Sequence, residues 1–370
     1  MRLTRLSLQN FRNLAAQRLE FPPEGVAVIG RNAQGKSNLL EAIYYLETLR
    51  SFRGAQDAQL VRFGADHFRI VADVQEEATD RSVQLAAAFE RSQKRKKVTV
   101  DGSEVERLAD GLGHLAAVIF SPADAALVSG GPVERRRHMD VVLSLNNPGY
   151  LAAAQRFRHA LAQRNAALRT GAPASAVRVW DDPLVAAGSE LMEGRSAWVG
   201  HWRERFSALY TAVSGGEDAW IDYDPQLSRE DGETWSDAYR ASLEAGWERD
   251  RRMGNTGTGP HRDDLSIHLE REGGKAAARD YGSGGQRRTA ALALRLIEAE
   301  TIRESRGQRP MVLLDDVFAE LDESRSERVM RLFEDDWVGQ VVLTAPKEGD
   351  VRVKGDALAR WTIDDGVIST

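Results

Sequence analysis

Gly30-Arg31-Asn32-Ala33-Gln34-Gly35-Lys36-Ser37 follows the apolar run Val26-Ala27-Val28-Ile29, and it opens a stretch in which Leu39, Leu40, Ile43 and Leu46 recur at helical spacing. The octapeptide satisfies GxxxxGK[ST] in the strand–loop–helix context that the pattern needs. Glycines let successive backbone N–H groups turn toward one centre, and the start of a helix adds positive potential, so such a loop wraps phosphates. Gly30, Arg31, Asn32, Ala33, Gln34 and Gly35 are expected to surround a nucleotide. Lys36 should reach its β/γ-phosphates and Ser37 should ligate Mg²⁺. ATP and Mg²⁺ are the cofactors this pattern predicts, and α/β is the fold class.

Working outward, the second half of such a site is expected on another buried strand. Met311-Val312-Leu313-Leu314 ends abruptly in Asp315 and Asp316, and buried carboxylates need partners. Asp315 is expected to hold Mg²⁺, and Asp316 to orient or deprotonate an attacking water. Lys36, Asp315 and Asp316 are therefore the candidate catalytic set. Ser283-Gly284-Gly285-Gln286 heads an apolar-periodic helix from about 286 to 300. Small residues and free N–H groups at a helix start make a further anion site.

Strand-like alternation at Leu3, Leu6 and Leu8, and runs near 68–74, 83–89 and 115–120, place more strands before residue 120. A hairpin is expected to turn at Asp101-Gly102. From about 134 to 247 the pattern is mainly helical, with helices over 150–169 and 184–213 joined by Gly171-Ala172-Pro173. Trp198, Trp202 and Phe206 read as a core stripe of the second helix. Strands return near 265–269, 311–314 and 340–343.

The chain has 370 residues, no cysteine and a net charge of −6. Disulfides and thiolate metal sites are excluded. A global basic footprint for nucleic acid is absent, so any DNA site must be a local patch or be created by two chains. No apolar run approaches the roughly 20 residues of a spanning helix, and the start has no signal-peptide pattern. The expected location is cytoplasmic, with no membrane partner.

In the order P-loop, long insertion, Ser-x-Gly-Gln signature, paired acids and then Ala319-Glu320-Leu321-Asp322, the chain resembles the ABC-type ATPase heads of the SMC class. More closely it resembles the RecF family. The specific marks are Phe11-Arg12-Asn13, Ser51-Phe52-Arg53, Phe120-Ser121-Pro122, Gly131-Pro132 with Arg135-Arg136, Gln163 to Leu168, Gly259 to Leu265, and Asp315 to Phe318. They span nearly the whole chain. The insertion between Lys36 and Ser283 is too long for a typical transporter subunit and too short for extended SMC coils. The absence of cysteine argues against the zinc-hook repair ATPases.

The resemblance implies an SMC-like P-loop head assembled from residues 1–120 and 252–370, with a helical lobe inserted over 121–251. It implies that Ser283, Gly284, Gly285 and Gln286 cap the nucleotide of a second copy, and that Asp322 lines the dimer seam as a D-loop residue. Arg12 resembles an arginine that approaches phosphates, and His261 falls in a loop of the kind found near the nucleotide seam. The activity implied is that of a weak, DNA-stimulated ATPase and an ATP-dependent homodimeric clamp on duplex DNA near single-strand gaps. Partnership with RecR and RecO, loading of RecA, replication restart and the SOS response are implied with it. Asp316 stands where transporters usually carry Glu, so slow turnover is expected.

Lys94, Arg95, Lys96 and Lys97 lead the expected hairpin. They are candidate DNA contacts, with a charge-protected hairpin edge as the alternative. Arg135-Arg136-Arg137 reads equally as a phosphate patch or as a set of intramolecular ion pairs. The competing functions are an ABC-type ATPase with another client and a phosphotransferase of the adenylate-kinase type. DNA stimulation and AMP dependence separate them.

Overall fold

The computed structural model describes residues 1–76, 81–272, 274–320, 322–334, 339–351 and 357–370. The chain divides into two compact units. The first joins residues 1–124, 212–215 and 292–370, and the second joins 125–211 and 216–291.

The first unit is built on a six-stranded sheet in the order 367–369, 359–364, 25–29, 341–345, 311–315, 117–120. All neighbours pair in parallel except the final hairpin strand Val367–Ser369. The strands Met311–Asp315 and Val341–Ala345 are buried along their whole length, as parallel strands covered on both faces require. Register then decides the chemistry. Ile29 lies opposite Ala345, and Asp315 lies opposite Thr344. The P-loop, the paired acids and Thr344 thus emerge at the same carboxyl edge, where open α/β sheets bind ligands.

The P-loop helix Lys36–Thr48 is buried at all positions except Ser37 and Asn38. A second, antiparallel sheet, in the order 17–20, 2–9, 67–75, 82–90, 95–100, 103–104, covers it. Its strand His67–Gln75 buries alternate residues, the period-two signature of a half-covered sheet. The rings of Phe11, Phe68 and Tyr45 meet edge to face at centroid distances of 5.2–6.3 Å, which locks the helix to this sheet. Asp101 and Gly102 both take positive φ at the hairpin turn, matching the expected turn chemistry.

The second unit holds the helices Pro132–Asn146 and Pro148–Arg169 and most of Asp181–Ser214. Tyr150 packs at Gly194, Phe157 at Gly188, and Arg164 pairs with Asp181. The numbers rise on one helix and fall on the other, so the pair is antiparallel, as expected. Mid-helix glycine lowers helix propensity, but a Cβ at Gly194 would stand 2.8 Å from the Tyr150 ring and one at Gly188 2.6 Å from Tyr239. Close packing requires glycine there. Trp198, Trp202 and Phe206 are buried, in line with the core reading.

The mainly helical middle also holds a strand the sequence reading missed, because Ala219–Asp224 pairs with Asp264–Arg271 in a three-stranded sheet. That pairing carries the second unit past the expected boundary at 252 as far as Ala291, and it places the signature residues 283–286 in the second unit. Alternation in Trp220-Ile221-Asp222-Tyr223 was the available signal for the missed strand.

Candidate nucleotide site

The P-loop is held by the Asn13 side chain and by the backbone of the C-terminal hairpin. Gly35 takes φ 115°, and a Cβ there would stand 2.8 Å from the Asn13 amide. Asn13 donates to the Gln34 carbonyl at 3.1 Å and accepts from Asn38 at 2.7 Å. The C-terminal hairpin closes the other side, with the backbone N–H groups of Asp365 and Gly366 donating to Gln34 at 2.6 and 2.9 Å. Asn13 was quoted in the sequence as part of a motif; its role as the loop's clamp is visible only in three dimensions.

The Lys36 ammonium, 4% exposed, donates to the carbonyls of Gly30 at 2.8 Å and Arg31 at 3.3 Å, and lies 3.8 Å from Asp316. Ser37 donates to Asp315 Oδ1 at 2.7 Å. Burial pushes the Asp315 carboxyl up, and the Ser37 and Thr344 hydroxyls oppose that rise. A hydroxyl and a carboxylate in contact beside a phosphate loop are the hard-oxygen donor set that Mg²⁺ takes, its other positions being filled by phosphates and water. The residues present fit both ATP and its metal.

Asp316 has φ 47°, a costly conformation for a non-glycine residue and one that clusters at active sites. Thr344 holds it there. The Thr344 hydroxyl accepts from the Asp316 N–H at 3.0 Å and lies 3.1 Å from Asp315 Oδ1 and 3.3 Å from Asp316 Oδ1. Thr344 carries no role in the sequence reading. Its place, at the end of the strand beside the acids, was the signal. Thr344→Val is expected to lower ATP turnover by roughly tenfold, with nucleotide affinity nearly unchanged, since residues that orient a metal's ligands act on this scale. Steady-state hydrolysis beside a binding titration checks it.

Arg12 is anchored to the P-loop helix. Its guanidinium spans Glu41 at 2.8 and 3.0 Å and donates to the Gln59 carbonyl at 3.2 Å. Glu41 is fully buried on the P-loop helix and also takes Arg53 and Ser51. Burial alone would raise its carboxyl, but these three donors outweigh it and hold it below its ordinary value. A buried carboxylate at that helix position draws in the nearest cations.

In the second unit Ser283 caps the helix Gly284–Arg306. Its hydroxyl accepts from the Gln286 N–H at 3.2 Å, and the Gln286 side chain accepts from the Ser283 N–H at 2.9 Å. This reciprocal pair is a capping box. Gln286 is buried and further fixed by Glu217 at 3.0 Å and Arg271 at 2.7 Å. Ser283 and Gly284 are exposed, with open space beside the Gly284 Cα. Asp322 caps the helix Glu323–Glu334 through the Arg325 N–H at 2.9 Å. Its neighbour Leu321 lies outside the described residues.

Of the candidate DNA contacts, Lys94 is exposed. Arg95 and Lys97 pair with Glu104 at 3.2 and 3.0 Å. Lys96 turns inward, 3.0 Å from Asp57 and 2.6 Å from the Leu49 carbonyl, over the Tyr45 ring. The strand period of two explains this, because one side chain of each adjacent pair must face the helix. Arg135 pairs with Asp264 at 2.7 Å, which favours the ion-pair reading for it, and Arg136 donates to the Asp263 backbone carbonyl at 2.6 Å.

His261 is built into the second unit, 3.0 Å from the Thr256 carbonyl. Burial pushes its imidazole down to about 4. The folded value lies below the ordinary 6.5, so its contribution is full above pH 6.5 and is lost as pH falls through 4. A shift of that size corresponds to about 3 kcal/mol. Denaturant midpoints between pH 7.5 and 4.5 should fall more steeply for the natural chain than for His261→Asn.

The family model described as the RecF/RecN/SMC N-terminal domain matches residues 2–369. The chain is 41% identical over 337 residues to a protein of Anaeromyxobacter sp. (strain K) described as DNA replication and repair protein RecF, covering 88% of this chain and 87% of that one. It is 38% identical over 369 residues to the protein of the same description from Frankia alni, covering 95% of each. A solved structure of the recombination mediator protein RecF with ATP superposes with a TM-score of 0.89 at 30% identity, covering 99% of this chain and 96% of that one. An SMC head from Pyrococcus furiosus shares the fold, with a TM-score of 0.57 at 15% identity over 99% and 95% of the two chains. With its P-loop, paired acids and signature in the family's order, the chain belongs to the RecF family.

Proposed function

We propose that this chain is an ATP-dependent DNA clamp of recombinational repair, in which ATP binding drives homodimerisation on duplex DNA near single-strand gaps. One observation carries the reading most. Lys36, Ser37, Asp315 and Asp316 converge at one sheet edge, whereas Ser283 and Gly284 stand exposed on a unit that has no phosphate loop of its own. A signature displayed in that way suits the nucleotide of a second copy.

Lys36 would neutralise the β/γ-phosphates. Ser37 and Asp315 would hold Mg²⁺, which supplies charge neutralisation at the phosphate oxygens. Asp316 would orient or deprotonate the attacking water, its short reach giving slow, DNA-stimulated turnover. Ser283, Gly284 and Gly285 would close on the γ-phosphate of the other copy, with Gln286 fixing the cap and Asp322 at the seam. Loss of the bridging γ-phosphate then loosens the dimer. Arg12 would reach phosphate only after leaving Glu41. The description of the superposing structure as part of the RecFOR pathway supports partnership with RecR and RecO. Loading of RecA on gapped DNA, replication restart and the SOS response follow from that partnership. The cytoplasm is the proposed location, and no described helix is long and apolar enough to cross a membrane.

Light scattering tests the dimer. Mass should double with ATP, and at lower ATP when duplex is present. A monomer under every condition that still hydrolyses ATP would remove the trans signature from the mechanism.

A further inference from the structure

The antiparallel sheet ends in two neighbouring turns that the nucleotide chemistry leaves unused. In the first, Ala65 N–H donates to the Arg62 carbonyl at 3.0 Å and Gly64 takes φ 80°. Phe63 sits at the corner with its whole surface in water, 102% exposed. The second turn, Arg91 to Lys94, is fastened to the first. Arg91 N–H donates to the Asp66 carbonyl at 2.8 Å, and its guanidinium donates to the Ala58 carbonyl at 3.0 Å. Pairing of His67 with Glu90 sets both turns at one end of the sheet.

The charges there differ from those along the strand. Arg95, Lys96 and Lys97 have carboxylate partners. Arg62, Arg69 and Lys94 are exposed, and no ion pair holds them among the described residues. A lone ring without support contributes little to folding, and unpaired cations attract a polyanion rather than an apolar protein face. A basic surface with an aromatic ring is the combination that binds unpaired strands, because every base has a face to stack on. Bases inside a duplex are already stacked. The ring can therefore serve only at a gap edge or on a single strand.

We propose that this corner binds a DNA strand at an unstacked base, with Phe63 stacked on the base and Arg62, Arg69 and Lys94 on the flanking phosphates. The assignment rests on the DNA-binding reading above and adds where and how the strand is met.

The test uses the full chain with three probes: a single strand, a blunt duplex, and a duplex with a single-stranded tail bearing 2-aminopurine at its first unpaired position. Phe63→Ala should weaken binding to the tailed probe roughly tenfold and remove the change in 2-aminopurine fluorescence, as loss of one base stack does. Blunt-duplex affinity and melting temperature should hold, since the ring touches nothing. Phe63→Trp should retain both signals. Lys94→Glu should weaken all three probes and flatten the salt dependence. A Phe63→Ala chain that binds the tailed probe and changes its fluorescence like the natural chain overturns the proposal and leaves DNA binding intact. A natural chain that binds none of the probes overturns the DNA-binding reading as well. A Phe63→Ala chain with unaltered DNA binding but altered self-association reassigns the corner to a protein contact.

Discussion

Lys36→Met should reduce ATP hydrolysis by at least about 100-fold, because charge stabilisation at the phosphates is the largest single contribution such a site makes. The structure shows what the substitution removes. The Lys36 ammonium is inside the loop, bonded to the Gly30 and Arg31 carbonyls at 2.8 and 3.3 Å, and methionine can neither bond these carbonyls nor meet a phosphate. Folding should survive, since the loop is also held by Asn13 and the Asp365-Gly366 turn. An equal melting temperature checks that. Ser283→Arg should be as inactive, for a different reason: it places bulk and charge where a second copy must close. Mixing the two inactive chains separates the mechanisms. In mixed dimers one of the two composite sites pairs an intact P-loop with an intact signature, so partial activity should return. No recovery on mixing, with both chains folded, would sink action in trans. Wild-type hydrolysis by Lys36→Met would sink the P-loop assignment itself.

Arg164→Met should destabilise the second unit by about 3–5 kcal/mol, the usual result of leaving a buried charge without its partner. Arg164 has no exposed surface and donates to Asp181, Asp250 and Thr256, each at 2.8 Å. Asp250 is equally buried, and beyond Arg164 it has the Gly257 N–H at 2.9 Å and the more distant Arg249 at 3.4 Å. Removing the guanidinium strands that carboxylate. Adding Asp250→Asn to Arg164→Met should recover part of the loss, because the amide oxygen still accepts from Gly257 while the charge is gone. Denaturant unfolding of the single and double variants decides it. A loss below about 1 kcal/mol for the single variant would place this network with solvent-screened surface pairs instead.

Arg164 also shows how far the sequence could be read. It lies in Gln163-Arg164-Asn165-Ala166-Ala167-Leu168, a stretch quoted as a family mark without a role. Its partners Asp250 and Thr256 are 86 and 92 residues away, and no local pattern announces such a pairing. The same holds for Glu41, which reads as an ordinary helix position but gathers Arg12, Arg53 and Ser51.

By itself the sequence determined the phosphate loop, its strand and helix, the paired acids, the capped signature helix and the antiparallel helical pair. Each is written in contiguous residues whose spacing obeys a local rule: glycine where backbone must turn, a period of two or 3.6, a capping residue three positions before its partner. Only the tertiary structure decided that Thr344 bridges the acids, that Asn13 clamps the loop, that Arg12 and Lys96 face inward, and that strand 219–224 carries the second unit to residue 291. These outcomes depend on strand register and on which distant charge a buried group meets. Both are settled when remote segments pack, because only then does burial make an unpaired polar group costly.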